Sequence, residues 1–329
     1  MNELEKRIFA PSLSFEQKAL EVYRYQIQNN AIYQRFCSAL RVPDTLDDIN
    51  EIPLLSIEAF KDATVKTGSW ENPELLFQSS GTSGMSRSRH YVRSAELYRQ
   101  SIQQGFRNFY DLDQFIFWGY TPGYAQNPHS SLIWMINELI RYDSSQLSRF
   151  LPLQKPLNRK DSKEIRDSGK QLMIFGAAFG LIDLVKISDV RLPENTIIME
   201  TGGMKTYKRE MSRQELHQKL SAGFGLPLQN IHSEYGMTEL LSQAYARGTE
   251  WFETPPWSKI TIHDPENPMR IQVDGEEGLI GIMDLANLYS CSFLLTGDAG
   301  VRRKDGSFQV LGRWKKTNLR GCNFLIDQD

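Results

Sequence analysis

The feature that most constrains this fold is a series of short apolar runs. Each ends in small or turn-forming residues, and helix-spaced segments lie between them. Residues 75–78 lead into a Ser/Gly loop, 114–120 end at Thr121-Pro122-Gly123, 171–175 end at Gly176-Ala177-Ala178, and 196–200 end at Thr201-Gly202-Gly203. Residues 94–110 and 131–141 read as helical, and 210–220 is a helix candidate with polar faces. Strands that alternate with helices in this way predict an α/β fold with a layered, mostly parallel sheet.

The pattern changes on either side of this core. Residues 15–36 read as amphipathic helix, with a turn at Pro43-Asp44. After about residue 256 the runs 259–263, 269–273, 279–285, 293–295 and 308–311 read as strands, separated by Asp274-Gly275, Gly297-Asp298 and Asp305-Gly306. Tight turns of that composition predict antiparallel β structure. The expected organisation is a helical segment 1–74, an α/β nucleotide- and acyl-binding core 75–256, and a β-rich subdomain 257–329 with a short tail.

Charge and cysteine usage exclude several classes. The 329 residues carry 38 Lys+Arg against 40 Asp+Glu, a net charge of −2, which argues against a nucleic-acid binder. Cys37, Cys291 and Cys322 are too few and too scattered for a disulfide framework or a CxxC zinc site. The chain opens without an apolar signal core, and no run approaches the ~18 residues of a spanning helix. The expectation is a cytoplasmic protein with reduced thiols and no membrane span.

Four motifs could carry chemistry. In Ser79-Ser80-Gly81-Thr82-Ser83-Gly84 two glycines allow a tight turn and four hydroxyls add donors, so the loop can cradle phosphate oxygens. It lacks the Gly-Lys-Ser/Thr ending of a Walker loop, and it also reads as an ordinary surface loop. In Tyr235-Gly236-Met237-Thr238-Glu239, Tyr235 can stack on a flat base, Thr238 can donate to a phosphate, and Glu239 is a hard oxygen ligand for Mg2+. The same residues read as a polar strand-to-helix turn with Glu239 favoured by the helix dipole. Asp298, in Thr296-Gly297-Asp298, can accept from both hydroxyls of a ribose, and Arg313 can reach that sugar or a phosphate. The alternative is two β-turns. Gly202 and Gly203 allow close backbone approach to a planar ligand or simply end a strand.

Taken together and in this order, the motifs resemble the adenylate-forming (ANL) superfamily of acyl-CoA synthetases, luciferases and peptide-synthetase adenylation domains. Residues 77–84, Thr201-Gly202-Gly203-Met204-Lys205, Tyr235-Gly236-Met237-Thr238-Glu239-Leu240 and Arg320-Gly321-Cys322 resemble its acyl-protein synthetase (LuxE-type) branch. The resemblance runs from about Leu75 to the last residue. It implies the N-terminal-domain fold of that superfamily and ATP-dependent activation of a carboxylic acid, of the fatty-acid class, to an acyl-adenylate with loss of pyrophosphate. It implies that Ser79, Ser80, Gly81, Thr82, Ser83 and Gly84 hold the β- and γ-phosphates. Gly202 and Gly203 would line the adenine, and Tyr235, with Gly236 and Met237, would stack on it. Thr238 would touch the α-phosphate, Glu239 would hold Mg2+, and Asp298 and Arg313 would hold the ribose.

One departure from the superfamily pattern stands out. Its members continue past the Gly-Arg hinge into a lid domain that supplies a catalytic lysine, whereas sixteen residues follow Arg313 here. The LuxE-type branch is short in the same way. Lys205 is the first candidate for the missing cation, with Lys315, Lys316 and His90 as alternatives. By the same resemblance Cys322 takes the acyl group as a thioester and passes it to an acyl-CoA-reductase-like (LuxC-type) partner. A CoA ligase, a carrier-protein acylating enzyme, or a non-catalytic module that binds nucleotide or acyl-adenylate are the competing possibilities. Trp118 to Tyr124, His129 to Leu132 and Phe175 to Ala178 are candidate acyl-pocket walls.

Overall fold

The computed structural model describes residues 3–79, 87–123, 125–202 and 211–314. The chain divides into two compact units. The first comprises Met1–Ser101, Thr238–Ser242 and Thr254–Asp329, and the second Ile102–Met237 and Gln243–Glu253.

The first unit opens with α1 (Glu3–Phe9), α2 (Phe15–Asn29) and α3 (Ala31–Ala39). The helical stretch expected over 15–36 is made of two helices that meet at Asn30. Its Oδ1 accepts from the Tyr33 N–H at 3.0 Å and so caps α3, while its Nδ2 donates to Thr67 Oγ1 and to the Ser290 carbonyl. A buried amide with three partners fixes the break more firmly than helical spacing could carry the helix through it. β1 (Leu55–Ser56), α4 (Ala59–Asp62), β2 (Leu75–Gln78), β3 (Arg89–Val92) and α5 (Ala95–Arg107) follow. β2 and β3 pair antiparallel, with Gln78 opposite Arg89. α5 starts in the first unit and ends in the second.

The second unit is the predicted α/β layer. Its elements are β4 (Phe115–Tyr120), α6 (Ser131–Tyr142), β5 (Arg149–Phe150), α7 (Arg159–Ser168), β6 (Gln171–Ala177), α8 (Ala178–Ile187), β7 (Ile197–Thr201), α9 (Arg213–Phe224), β8 (Ile231–Tyr235) and β9 (Ala244–Ala246). The six strands order as β5-β4-β6-β7-β8-β9, parallel except for the antiparallel edge strand β9. Both faces of β4 are covered, which explains its unbroken apolar run. Ile116 and Trp118 lie in one core with Ile174, Leu181 of α8 and Leu220 of α9. The alternate residues Phe115 and Phe117 pack edge-on against Phe106.

The chain then returns to the first unit through β10 (Ser258–His263), β11 (Gly278–Asp284), β12 (Phe293–Arg302) and β13 (Phe308–Arg313). The sheet runs β1-β12-β11-β10 with β13 also on β12. β1 joins in parallel and the others pair antiparallel, as the turn residues predicted. Two expectations are corrected. Residues 269–273 are not a strand: Met269 and Val273 are exposed, and only Ile271 bridges, to His263. Gly297-Asp298 is not a separator but lies inside β12, which extends seven residues beyond the expected end at 295.

The two units also differ from the linear division at 74 and 256. The Gln26 side chain of α2 donates to the Leu288 carbonyl at 2.9 Å and accepts from the Ser292 N–H at 2.9 Å. β1 pairs with β12. These links join the two chain termini into one unit, and a composition profile along the chain contains no trace of them.

Candidate nucleotide site

In the first unit the β2–β3 hairpin forms the base of the Ser/Gly loop. The Ser79 N–H donates to the Ser88 carbonyl at 3.2 Å, and the Ser88 N–H donates back to Ser79 Oγ at 3.0 Å. The Ser79 hydroxyl is therefore committed as an acceptor to closing the loop. Ser80, Gly81, Thr82, Ser83 and Gly84 lie outside the described residues.

Glu239 sits beside this base. It is buried, and its carboxylate bonds the Ser88 side chain. Burial raises its pKa above the ordinary carboxylate range, opposed by the Ser88 bond, a backbone bond and the Arg313 charge. A desolvated carboxylate that binds a proton more tightly also favours a divalent cation. Mg2+ typically takes only one or two protein carboxylates and fills its shell with phosphates and water. Among the described residues no cluster of three or more His, Cys, Asp or Glu side chains forms a protein cage. Glu239 thus fits a metal shared with substrate phosphates.

The segment carrying Glu239 is anchored from below. The buried Asp284 carboxylate at the end of β11 accepts from the Leu241 N–H at 2.8 Å, the Ser242 N–H at 3.0 Å and the Ser242 hydroxyl at 2.6 Å. Burial raises the Asp284 pKa and these bonds oppose the rise. Nothing local in the sequence marks Ser88, and the one signal for Asp284 is a carboxylate closing an otherwise apolar strand.

Asp298 and Arg313 come together on adjacent strands, with Nε to Oδ1 at 3.1 Å. The two-turn alternative is excluded, since both residues lie in β strands. Thr296 Oγ1 accepts from the Asp298 N–H at 3.1 Å and donates to the Ile280 carbonyl at 2.9 Å, which fixes the strand backbone at the carboxylate.

His90 is corrected as a cation candidate. It is fully buried, its Nδ1 faces the Thr238 carbonyl at 2.8 Å, and burial lowers its pKa to about 4. The ring is neutral at pH 7. Lys205, Lys315, Lys316, Gly203 and Cys322 lie outside the described residues.

The second unit holds the remaining motif residues at the C-terminal ends of its parallel strands, where open α/β sheets bind ligands. Gly202 follows β7 with φ of 78°, a backbone conformation that favours glycine. Tyr235 ends β8. Its ring packs 5.9 Å from that of Phe252, and the Arg213 guanidinium lies 4.9 Å over the other ring, Phe252. Beneath this end, Glu200 lies 3.4 Å from Arg213 and 3.7 Å from His217. Burial and the Glu200 charge push the neighbouring Glu234 carboxyl up to about 8. The candidate acyl walls Trp118, Tyr120 and Ala178 belong to the unit's packed core, and the Trp118 indole N–H donates to the Leu147 carbonyl at 3.0 Å. The Tyr235 to Glu239 motif is divided: Tyr235, Gly236 and Met237 belong to the second unit, Thr238 and Glu239 to the first.

The fold is that of the adenylate-forming enzymes. It is similar to ATP-bound MatB from Rhodopseudomonas palustris (TM-score 0.51, 17% identity, 75% of this chain and 50% of that one). It is equally similar to the o-succinylbenzoate coenzyme A synthetase MenE from Bacillus subtilis, solved with AMP (TM-score 0.50, 19% identity, 72% of this chain and 49% of that one). The chain spans about half the length of these solved structures. In sequence it is 24% identical over 324 residues to the long-chain-fatty-acid–luciferin-component ligase of Vibrio harveyi, covering 93% of this chain and 85% of the relative. The Aliivibrio fischeri protein of the same name is 23% identical over 307 residues, covering 85% of this chain and 77% of the relative. The family model described as acyl-protein synthetase, LuxE, matches residues 140–329. The chain belongs to the LuxE acyl-protein synthetase family. No helix among its described residues is long and apolar enough to cross a membrane.

Proposed function

We propose that this protein is an ATP-dependent acyl-protein synthetase for a long-chain fatty acid. A carboxylate oxygen attacks the α-phosphorus of ATP and pyrophosphate leaves, giving an acyl-adenylate. A thiolate then attacks the acyl carbonyl and AMP leaves, giving a thioester. Glu239 would hold Mg2+, which neutralises phosphate charge when bound. Thr238 would donate to the α-phosphate, while Asp298 and Arg313 would hold the ribose. Tyr235, Gly236, Met237, Gly202 and Gly203 would receive the adenine, and the loop Ser79 to Gly84 would wrap the outer phosphates. Such chemistry asks the protein mainly for positioning and charge stabilisation.

The observation that carries this proposal is the buried Glu239 carboxylate bonded to Ser88 at the base of the Ser/Gly loop, with the Arg313 charge acting on it. Cys322 is the proposed acyl acceptor, Lys205 the proposed cation at the carboxylate, and an acyl-CoA-reductase-like protein the proposed onward acceptor. Family membership and the relatives' names support the fatty acid as substrate.

The test is intact-protein mass spectrometry with peptide mapping after incubation with ATP, Mg2+ and a panel of carboxylic acids, alongside acid-dependent pyrophosphate exchange into ATP. An acyl increment on Cys322, abolished in Cys322→Ser while exchange persists, is the expected result. Exchange with AMP release but no acyl-enzyme would assign the acceptor to a soluble thiol such as CoA or a carrier protein. ATP binding without exchange, across the panel, would favour a binding module.

A further inference from the structure

Two neighbouring backbone carbonyls of the Thr238-Glu239 motif are each held by a buried side chain that the proposed chemistry does not use. His90 Nδ1 lies 2.8 Å from the Thr238 carbonyl. Asn287 Nδ2 donates to the Glu239 carbonyl at 2.7 Å and to the Cys291 carbonyl at 2.9 Å. His90 stands on β3, at the base of the Ser/Gly loop, and Asn287 stands just beyond β11. All these residues belong to the first unit.

The tautomer follows from the partners. A carbonyl can only accept, so Nδ1 must carry the proton and Nε2 is left as an acceptor. Asn287 is oriented by its two carbonyls, which takes up its Nδ2 and leaves Oδ1 as an acceptor too. The Asn287 side chain lies close enough to favour a protonated His90 ring, but burial outweighs it, and in the neutral ring Nε2 and Oδ1 face each other as two buried acceptors. Two acceptors cannot bond each other. Both residues line a small cavity of about 10 Å³. The Phe60 ring packs edge-on to the imidazole with centroids 5.6 Å apart.

We propose that His90 and Asn287 are positioning residues that clamp the Thr238 and Glu239 carbonyls, fixing the Thr238 hydroxyl and the Glu239 carboxylate for Mg2+-ATP. Neither touches the reacting atoms. Both act through the backbone, and the proposal rests on the nucleotide-binding role given to this motif above. A neutral His90 suits the task, since a charged ring would demand a counter-ion in a buried site.

The experiment compares His90→Asn with His90→Gln. An asparagine amide nitrogen falls near the position of imidazole Nδ1, and a glutamine amide nitrogen near that of Nε2. The Asn variant therefore keeps the donor to Thr238 and the Gln variant loses it. ATP affinity is titrated calorimetrically across Mg2+ concentrations, with thermal midpoints measured in parallel. The expected result is that His90→Asn stays within about threefold of wild type, while His90→Gln needs about tenfold more Mg2+, the size of one buried hydrogen bond. Nitrogen-15 NMR gives a second readout independent of nucleotide. The His90 ring, assigned by the signal lost in His90→Asn, should show the neutral Nδ1–H tautomer at pH 7. Equal Mg2+ midpoints in the two variants would overturn the proposal, as would an Nε2–H tautomer. A wild type that fails to bind Mg2+-ATP would overturn the nucleotide-binding role itself, and the clamp's purpose with it.

Discussion

Asp298 and Arg313 stand directly opposite each other on β12 and β13, their side chains joined at 3.1 Å. Asp298 is buried and Arg313 half exposed. The Arg313 guanidinium lies over Gly297, its Nη1 2.9 Å from where a Cβ would stand. The Trp314 N–H donates to the Gly297 carbonyl at 3.0 Å and ties the strand end down. The carboxylate is thus held in place before any sugar arrives, which lowers the ordering cost of binding.

Asp298→Asn should test the ribose role. The variant keeps shape and loses charge, so its affinity for ATP should fall about 10- to 100-fold, the range for hydrogen bonds to a charged group. A carboxylate that accepts from both ribose hydroxyls discriminates against 2′-deoxy-ATP, and the variant should lose most of that preference. Titration of both nucleotides into both proteins checks this. An unchanged ratio would remove Asp298 from the sugar.

Glu239→Gln should weaken metal use. It retains size and loses the charge that Mg2+ would neutralise, so the Mg2+ needed for half-maximal pyrophosphate exchange should rise at least about tenfold. Exchange at limiting Mg2+ equal to wild type would defeat the assignment.

Asp284→Ala should destabilise the fold. It strands the Leu241 and Ser242 N–H groups and takes one acceptor from the Ser242 hydroxyl, all bonded at 2.6–3.0 Å in the intact protein. The expected loss is about 2–4 kcal/mol. At a few degrees per kcal/mol, the thermal midpoint should drop by roughly 5–10 °C. Differential scanning calorimetry measures it. A drop no larger than that of an exposed control such as Asp305→Ala would show that other groups hold this segment.

The parallel sheet was legible because β4, β6 and β7 are buried on both faces and so read as unbroken apolar runs. α7 was not legible, because its exposed residues are almost all charged and its start is set by an Asn158–Asp161 capping box rather than by an apolar stripe. α8 was hidden because Gly176-Ala177-Ala178 reads as a strand-ending turn, whereas α8 starts immediately at Ala178. The site's individual side chains were legible from their chemistry. Their supports were not: Ser88, Asp284 and Asn287 matter through partners between 42 and 151 residues away, as Asn287 does for Glu239 at a separation of 48. Local pattern carries no information about such pairs.

Glu234→Gln should change how stability depends on pH. The folded carboxyl is pushed up to about 8, largely by burial and secondarily by the Glu200 charge, from an ordinary value of 4.5. Between these values the folded protein holds a proton that the unfolded chain releases. The stability that this proton contributes is complete below pH 4.5 and is lost as pH rises through about 8. Glutamine mimics the protonated form and has nothing to lose. The thermal midpoint of the variant minus that of wild type should therefore grow between pH 5 and pH 8.5, by about 3–6 °C if the effect is on the order of 1–2 kcal/mol. Other titrating groups act on both proteins and cancel in the difference. In a Glu200→Gln background the like charge is gone and only burial remains, so the growth should be smaller. Parallel midpoint curves across this range would mean that Glu234 does not hold its proton in the folded state.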